Sequence, residues 1–325
     1  MIILKKQPNK DFIILNITDP QLGDPEWAEG HIDRKILEYT LTELIKKTKP
    51  DLITVSGDLA WAEYDKAYLM LADFLEKFEI PWALVWGNHD NQNGPEHVEK
   101  IVEEYVKYPH CIYEKGDPAL GNGNYVICIE ENGKTVEALI MMDSHDKAPY
   151  VDAEGQEQFA WARLIPEQVT WYKEQAKLLK AKGCDSSTLI VHIPIYAYFL
   201  ASKAAYKEGI ELNKVTVEVA EGASCWQEGY TDSVGVQHEG IGCYPAEDGM
   251  LAAINEEGIT KRVIAGHDHV NNSMICYEGV QLIYALKTGP GCYWEPSLNG
   301  GTVLKVGSNG VYKVTHEYVD ASHII

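Results

Sequence analysis

The sequence predicts an α/β protein built on a parallel sheet with covering helices. Two observations carry this prediction. Short continuous apolar runs alternate with longer stretches of helical period through the first half of the chain. Each of those apolar runs also ends on Gly, Asp, Asn or His, the residues that leave a strand for a turn. In order, Phe12 to Ile17 is an apolar run that reaches Asp19, and Ile36 to Lys49 has apolar residues at 36, 37, 41, 44 and 45, the spacing of a one-sided helix. Leu52 to Val55 runs into Gly57-Asp58, Tyr64 to Phe78 reads as a helix, and Trp82 to Trp86 runs into Gly87-Asn88-His89-Asp90. Pro95 to Tyr105 is a third helix, with proline at the first helical position.

The middle of the chain changes character. Tyr125 to Glu130 and Thr135 to Met142 flank Asn132-Gly133, a two-residue hairpin signal. Pro166 opens a helix through Lys180, with Gly183 just past its end, and Leu189 to His192 is another buried strand. Residues 201–245 are long, glycine-rich and without period, and read as a loop insertion over a site. Arg262 to Ala265 leads into Gly266-His267-Asp268-His269. The tail is antiparallel, with Met274 to Tyr277 and Val280 to Leu286 around Glu278-Gly279, then Thr302 to Val306 and Val311 to Tyr318 around Asn309-Gly310. One domain over residues 1–325 is expected.

Composition narrows the function. The chain has 325 residues, 45% hydrophobic and 24% charged, with a formal net charge of −21. A surface that acidic repels nucleic-acid backbones and anionic membranes, so neither a nucleic-acid polymer nor a membrane is expected as a partner. No stretch is long and apolar enough to span a bilayer, and no apolar leader follows Lys5 and Lys6. The 7 cysteines are scattered without a Cys-x-x-Cys pair, which suits reduced thiols and a cytoplasmic location. No Gly-x-Gly-x-x-Gly follows the first strand, so a dinucleotide-binding fold is a poor fit.

Five predicted strands end in metal-capable residues: Asp19, Asp58, Asn88-His89, His192 and His267/His269. In open α/β sheets ligands bind beyond the carboxyl ends of the strands, so residues spread over 250 positions can converge there. Two carboxylates, an amide and several imidazoles suit a pair of borderline first-row ions such as Mn, Fe or Zn, as divalent or mixed-valence ions, rather than Ca²⁺ or Mg²⁺ alone. Each piece is weak by itself. Gly-Asp is common, and a lone histidine on an apolar strand is more often a hydrogen-bonded core residue. Their order, each after a buried strand, is what makes chance implausible.

In that order the sequence resembles the calcineurin-like metallophosphoesterases, whose pattern runs Asp-x-His, Gly-Asp, Gly-Asn-His-Asp/Glu, a lone His, then Gly-His-x-His. Here it stands as Asp19-Pro20-Gln21, Gly57-Asp58, Gly87-Asn88-His89-Asp90, His192 and Gly266-His267-Asp268-His269. His192-Ile193-Pro194, the stretch from Val234 to Cys243, and Lys287-Thr288-Gly289 resemble the purple-acid-phosphatase-like branch. The resemblance implies a four-layer αββα sandwich with two mixed β-sheets and a dinuclear metal site at the strand ends. It implies that Asp58 bridges the metals, that Asp19 and His269 hold the first, and that Asn88, His192 and His267 hold the second. It also implies that His89 faces the scissile phosphate.

Two positions depart from the pattern. Gln21 replaces a histidine, and either its amide oxygen binds the first metal or water takes the position. Trp61 stands where the purple enzymes carry a tyrosinate ligand, so no purple charge-transfer band is expected. The reaction expected is hydrolysis of a phosphomonoester by a metal-bridging hydroxide, on a phosphorylated small molecule or a phosphoprotein. His89 donates a proton to the leaving oxygen or stabilises the charge growing there, and Asp90 either orients His89 or caps the following turn. A phosphodiesterase or pyrophosphatase acting on nucleotide-like substrates is the alternative, and a catalytically silent scaffold is a more distant one. His238, Tyr196 and Lys287 are candidates for substrate contact. His145 with Asp143 and Asp146, and the aromatic residues Tyr198, Tyr293 and Trp294, are further candidates to line the cleft.

Overall fold

Residues along each central strand are sorted by parity into two cores. Ile127, Ile129, Leu139 and Met141 join one buried cluster, while their neighbours Val126, Cys128, Ala138 and Ile140 join another. A sheet that is apolar on both faces must be covered on both, and the computed structural model, which describes residues 1–221 and 224–324, shows how.

The chain runs β1 (Ile2–Lys5), β2 (Phe12–Ile17), α1 (Ile32–Thr48), β3 (Leu52–Ser56), α2 (Asp65–Glu76), β4 (Trp82–Val85), α3 (Asn88–Asn91) and α4 (Pro95–Tyr105). It continues with β5 (Tyr125–Glu131), β6 (Lys134–Met141), β7 (Lys147–Val151), β8 (Glu157–Trp161), α5 (Pro166–Ala181), β9 (Ser187–Ile190) and α6 (Ala197–Ala205). Then come α7 (Val217–Glu221), α8 (Met250–Glu257), β10 (Thr260–Ala265), β11 (Met274–Tyr277), β12 (Val280–Tyr284), β13 (Gly300–Gly307) and β14 (Gly310–Tyr318).

One sheet has the order β14-β13-β2-β3-β4 and the other β1-β5-β6-β9-β10-β12-β11. Both mix parallel and antiparallel pairs. The first core lies between the sheets and under α1, α2 and α4. The second lies between the outer face of the longer sheet and α5, α6 and α8. The result is the four-layer αββα sandwich. Each fully buried Leu or Ile in these cores contributes roughly 1.5–3 kcal/mol.

Local signals explain the helix ends. The His31 side chain caps α1 by accepting from Asp33 N at 3.2 Å, so the helix starts four residues before the apolar stripe that announced it. Pro95 and Pro166 open α4 and α5 as expected. Three departures stand out. Strand β1 pairs in parallel with β5 at an edge, and the sequence reading passed over it. Residues 147–161 form the β7–β8 hairpin, a separate two-stranded sheet. Residues 201–245 are not simply a loop over a site. They include the end of α6, a 3₁₀ turn and α7, and they bury Tyr206, Val215, Trp226 and Val236 against the outer core. Their apolar anchors are irregularly spaced, which is why no period betrayed them. Among the described residues, no helix is long and apolar enough to cross a membrane.

Candidate metal centre

Parallel registry brings the motif residues to one end of the molecule. Ile17 pairs with Val55 and Ser56 with Val85, so β2, β3 and β4 finish level and release Asp19, Asp58 and Asn88 side by side. In the other sheet Ile190 pairs with Ile264, so His192 and His267 leave adjacent strands together. Hydrogen bonds join the two sets. His192 Nδ1 donates to Ser56 O at 2.8 Å, His267 N donates to Asp19 Oδ2 at 3.2 Å, and Thr288 N donates to Thr18 O at 3.1 Å.

The ligand-capable atoms form two buried groups, Asp19–Asp58–His269 and Asp58–His192–His267. Within each group they all lie within 4.8 Å of one another, and Asp58 belongs to both. Asn88 Oδ1 adds to the second group, 3.0 Å from His192 Nε2. The imidazoles are oriented for ligation. The Nδ1 atoms of His192 and His269 each donate to a backbone carbonyl, Ser56 O and Tyr293 O, which turns Nε2 inward. Asp19 Oδ1, buried without a hydrogen-bond partner, lies 3.2 Å from His269 Nε2 and 3.9 Å from His192 Nε2. Both amide atoms of Gln21 are also buried and unpartnered. Unpaired polar atoms closed off from solvent are costly, and a bound cation would satisfy the oxygens Asp19 Oδ1 and Gln21 Oε1.

The electrostatics agree with a cation site. Burial disfavours the charged form of His192, yet the Asp58 and Asp19 carboxylates outweigh it and carry its pKa up to about 10. Burial together with the nearby His192 charge pushes His267 down to about 3, leaving a neutral ring with a free lone pair. Burial opposes ionisation of Asp19 and Asp58 as well, but the histidines beside them prevail and hold both below the usual carboxylate range. The backbone is bent to suit: Asp19, Gln21, Asp58 and His267 all have positive φ, between 41° and 76°. The motif glycines are there for clearance. A Cβ on Gly57, itself at φ 94°, would collide with the His192 ring, and one on Gly87 would collide with the Asp58 carboxylate.

His89 stands at the side of this group. Its backbone N–H donates to Asp58 Oδ1 at 2.9 Å, its ring meets the edge of Trp61 at 4.4 Å, and it lines a cleft of about 410 Å³ with Asp58 and His267. The residue that fixes the ring is not Asp90. His89 Nδ1 pairs with Gln92 Oε1 at 3.0 Å, and Gln92 in turn donates to Glu63. The Asp90 carboxylate turns inward, accepting from Gly87 N at 2.7 Å, Leu59 N at 3.1 Å and Tyr68 Oη at 2.9 Å. It caps α3 and ties that turn to the Asp58 loop.

All three substrate candidates lie elsewhere. His238 Nε2 donates to Val215 O at 2.7 Å in a separate pocket. Tyr196 sits at the start of α6 with its ring on Phe199, outside the cleft lining. Lys287 is 2% exposed, and its ammonium donates to the backbone carbonyl of Asp19 from beneath. Of the further candidates, Tyr198 is a core residue whose hydroxyl bonds to β10 and β12. His145 joins Gln168 at 2.9 Å beside Asp143. Tyr293 does line the cleft, stacked on His269 at 4.2 Å.

Trp161 and Glu239 are among the cleft residues that the sequence reading missed. Trp161, on the β7–β8 hairpin, meets the His267 ring at 4.6 Å. Glu239, next in chain to His238, accepts from Val270 N at 2.9 Å and from Tyr293 Oη at 2.7 Å. In an extended segment neighbours point opposite ways, and here Glu239 lines the cleft while His238 lines the other pocket.

The family model for calcineurin-like phosphoesterases matches residues 12–271. An Arabidopsis thaliana protein named probable inactive purple acid phosphatase 14 is 24% identical over 269 residues, covering 75% of this chain and 60% of its own length. Probable inactive purple acid phosphatase 28 of the same plant is 26% identical, covering 79% and 63%. This chain thus spans somewhat over half the length of these two relatives. Among solved structures, a dimetal phosphatase from Danio rerio shares the fold with a TM-score of 0.54 at 13% identity, over 94% of this chain and 98% of that one.

Proposed function

Because the chain belongs to the calcineurin-like phosphoesterase family, we propose that it hydrolyses a phosphomonoester at a metal pair held around Asp58. The observation that carries this reading is the sharing of Asp58 between two buried three-residue groups. Asp19, His269 and Asp58 would hold one ion, with the unpartnered Gln21 amide as a further oxygen donor. Asp58, Asn88, His192 and His267 would hold the other. Three imidazoles with carboxylates and amides suit Mn, Fe or Zn. When bound, such a pair makes water acidic enough to ionise near neutral pH and offsets charge on the phosphoryl oxygens.

The chain's own residues do the rest. His89 donates Nδ1–H to Gln92 and so presents Nε2 to the cleft, where a proton on it passes to the leaving oxygen. The Trp61 edge limits rotation of that ring. Asp90 keeps Asn88 and His89 in place by bonding the backbone on both sides of the turn. Lys287, held under Asp19, fixes the carbonyl of that strand end. The word inactive in the names of the plant relatives makes turnover the point to test.

The test compares a chromogenic phosphomonoester with its bis-ester analogue in Mn²⁺, with Asp58→Asn as the blank. Preference for the monoester supports the proposal. Preference for the diester replaces it with a diesterase. Metal-loaded protein that turns over neither above the blank makes the chain a non-catalytic relative.

A further inference from the structure

We propose that the cleft selects a phosphomonoester whose leaving alcohol carries an ammonium group, with Glu239 as the residue that selects it; this rests on the phosphomonoesterase reading above. Among the described residues lining the cleft there is no lysine or arginine. That is unusual for a site meant to receive a polyanion, which arginine forks or lysines commonly grip. Two lysines stand nearby but outside that lining: Lys287 is closed under the Asp19 carbonyl, and the exposed Lys147 lies over the Trp161 ring, 5.4 Å from its centroid and next in chain to Asp146.

What the cleft wall offers instead is a carboxylate bonded to one aromatic residue, with a second aromatic residue in the same lining. Glu239 is locked by two hydrogen bonds, from Val270 N at 2.9 Å and Tyr293 Oη at 2.7 Å. Tyr293, 46% exposed, and Trp161 line the same cleft. A fixed carboxylate beside exposed aromatic rings is the chemistry that receives an ammonium ion. The ligand groups, His89 and Glu239 line one cleft, so a phosphoryl group seated over the ligand groups shares that cleft with the Glu239 carboxylate. A substituent with a second negative charge meets Glu239 with no lysine or arginine in the described cleft lining to offset it.

The inference is tested by binding, which needs no turnover. Mn²⁺-loaded protein is titrated calorimetrically with three phosphonates of matched length that cannot be hydrolysed: 3-aminopropylphosphonate, 3-hydroxypropylphosphonate and 3-phosphonopropionate. The expected order of affinity is amine, then alcohol, then carboxylate, with about tenfold at each step, the scale of one unit charge a few ångströms from another in a partly solvated cleft. Glu239→Gln keeps the shape and an acceptor for Val270 N, and is expected to shrink the spread to about threefold or less. Equal binding of the three, a preference for the carboxylate, or an unchanged spread in Glu239→Gln overturns the proposal. If the order holds while the chromogenic monoester is not hydrolysed, the phosphatase reading fails and the charge selection stands. If hydrolysis holds and the order fails, the reverse is true.

Discussion

Asp58 and Glu239 are two carboxylates on one cleft, and they are held in opposite ways. Asp58 is 1% exposed, lies in left-handed backbone at φ 48°, and leaves a buried strand within two residues. Glu239 lies in an irregular segment, part-exposed, and is held by a backbone N–H and a tyrosine from another loop. The floor is an extension of the core, so the forces that order the sheets also place its ligands. The rim is assembled from the β7–β8 hairpin, residues 239–242 and the loop at 292–293, all outside the strands of the two large sheets. The candidate ligands are therefore tied to the strands of the fold, and the rim residues are not.

Changes to the floor should have the largest effects. Asp58→Asn is expected to lose bound metal, measured by elemental analysis, and to reduce turnover to background, because both groups lose their shared carboxylate. Retention of two metals per chain in that variant would break the contrast drawn above. His89→Ala is expected to keep its metals and lose roughly 10²–10⁴-fold in kcat. Gln92→Ala should fall in between, since the ring survives but loses its only anchor through Nδ1. Asp90→Ala leaves three buried donors without acceptors and should lower stability by about 3 kcal/mol or more, seen in denaturant unfolding. A variant at position 90 with unchanged stability but activity as low as His89→Ala would return Asp90 to the chemistry.

The smallest effect lies away from the cleft. His316 bonds Asn272 O at 2.8 Å and Thr302 Oγ1 at 3.0 Å, and burial holds its pKa down to about 4, only partly opposed by the Asn272 carbonyl. A depressed histidine favours the folded state in its neutral form. Its contribution is full above about pH 6.5 and is lost as the pH falls toward 4. The melting temperature should drop over that range in the wild type and drop less in His316→Gln. Parallel curves would remove His316 from the acid response.

The contrast between floor and rim also explains what the sequence made legible. Asp19, Asp58, Asn88, His192, His267 and His269 each follow an apolar run, and a run of that kind is readable. Asp90 could be read either as orienting His89 or as capping the turn, and the structure has the cap, since neighbours in sequence need not have neighbouring side chains. On the short α3 turn the neighbour of His89 is Gln92, three residues on, and that spacing was available to read. Lys287 points inward from a strand end, where a lysine is expected to reach for solvent. The β7–β8 hairpin carries Pro149, and its turn at 152–155 lacks a two-residue hairpin signature, so Trp161 had no periodic context to place it. Rim residues meet only in three dimensions, and one sequence does not encode that meeting as a period.

The left-handed ligand residues have one more consequence. A metal that binds the folded socket and not the unfolded chain would make loading and folding linked equilibria. Free metal concentration would then set the stability of the native chain: each ion at one hundred times its dissociation constant would add about 2.7 kcal/mol. A chelator would act on the lifetime of the whole sandwich as well as on its chemistry, and the amount of folded protein in a cell would follow its supply of transition metal.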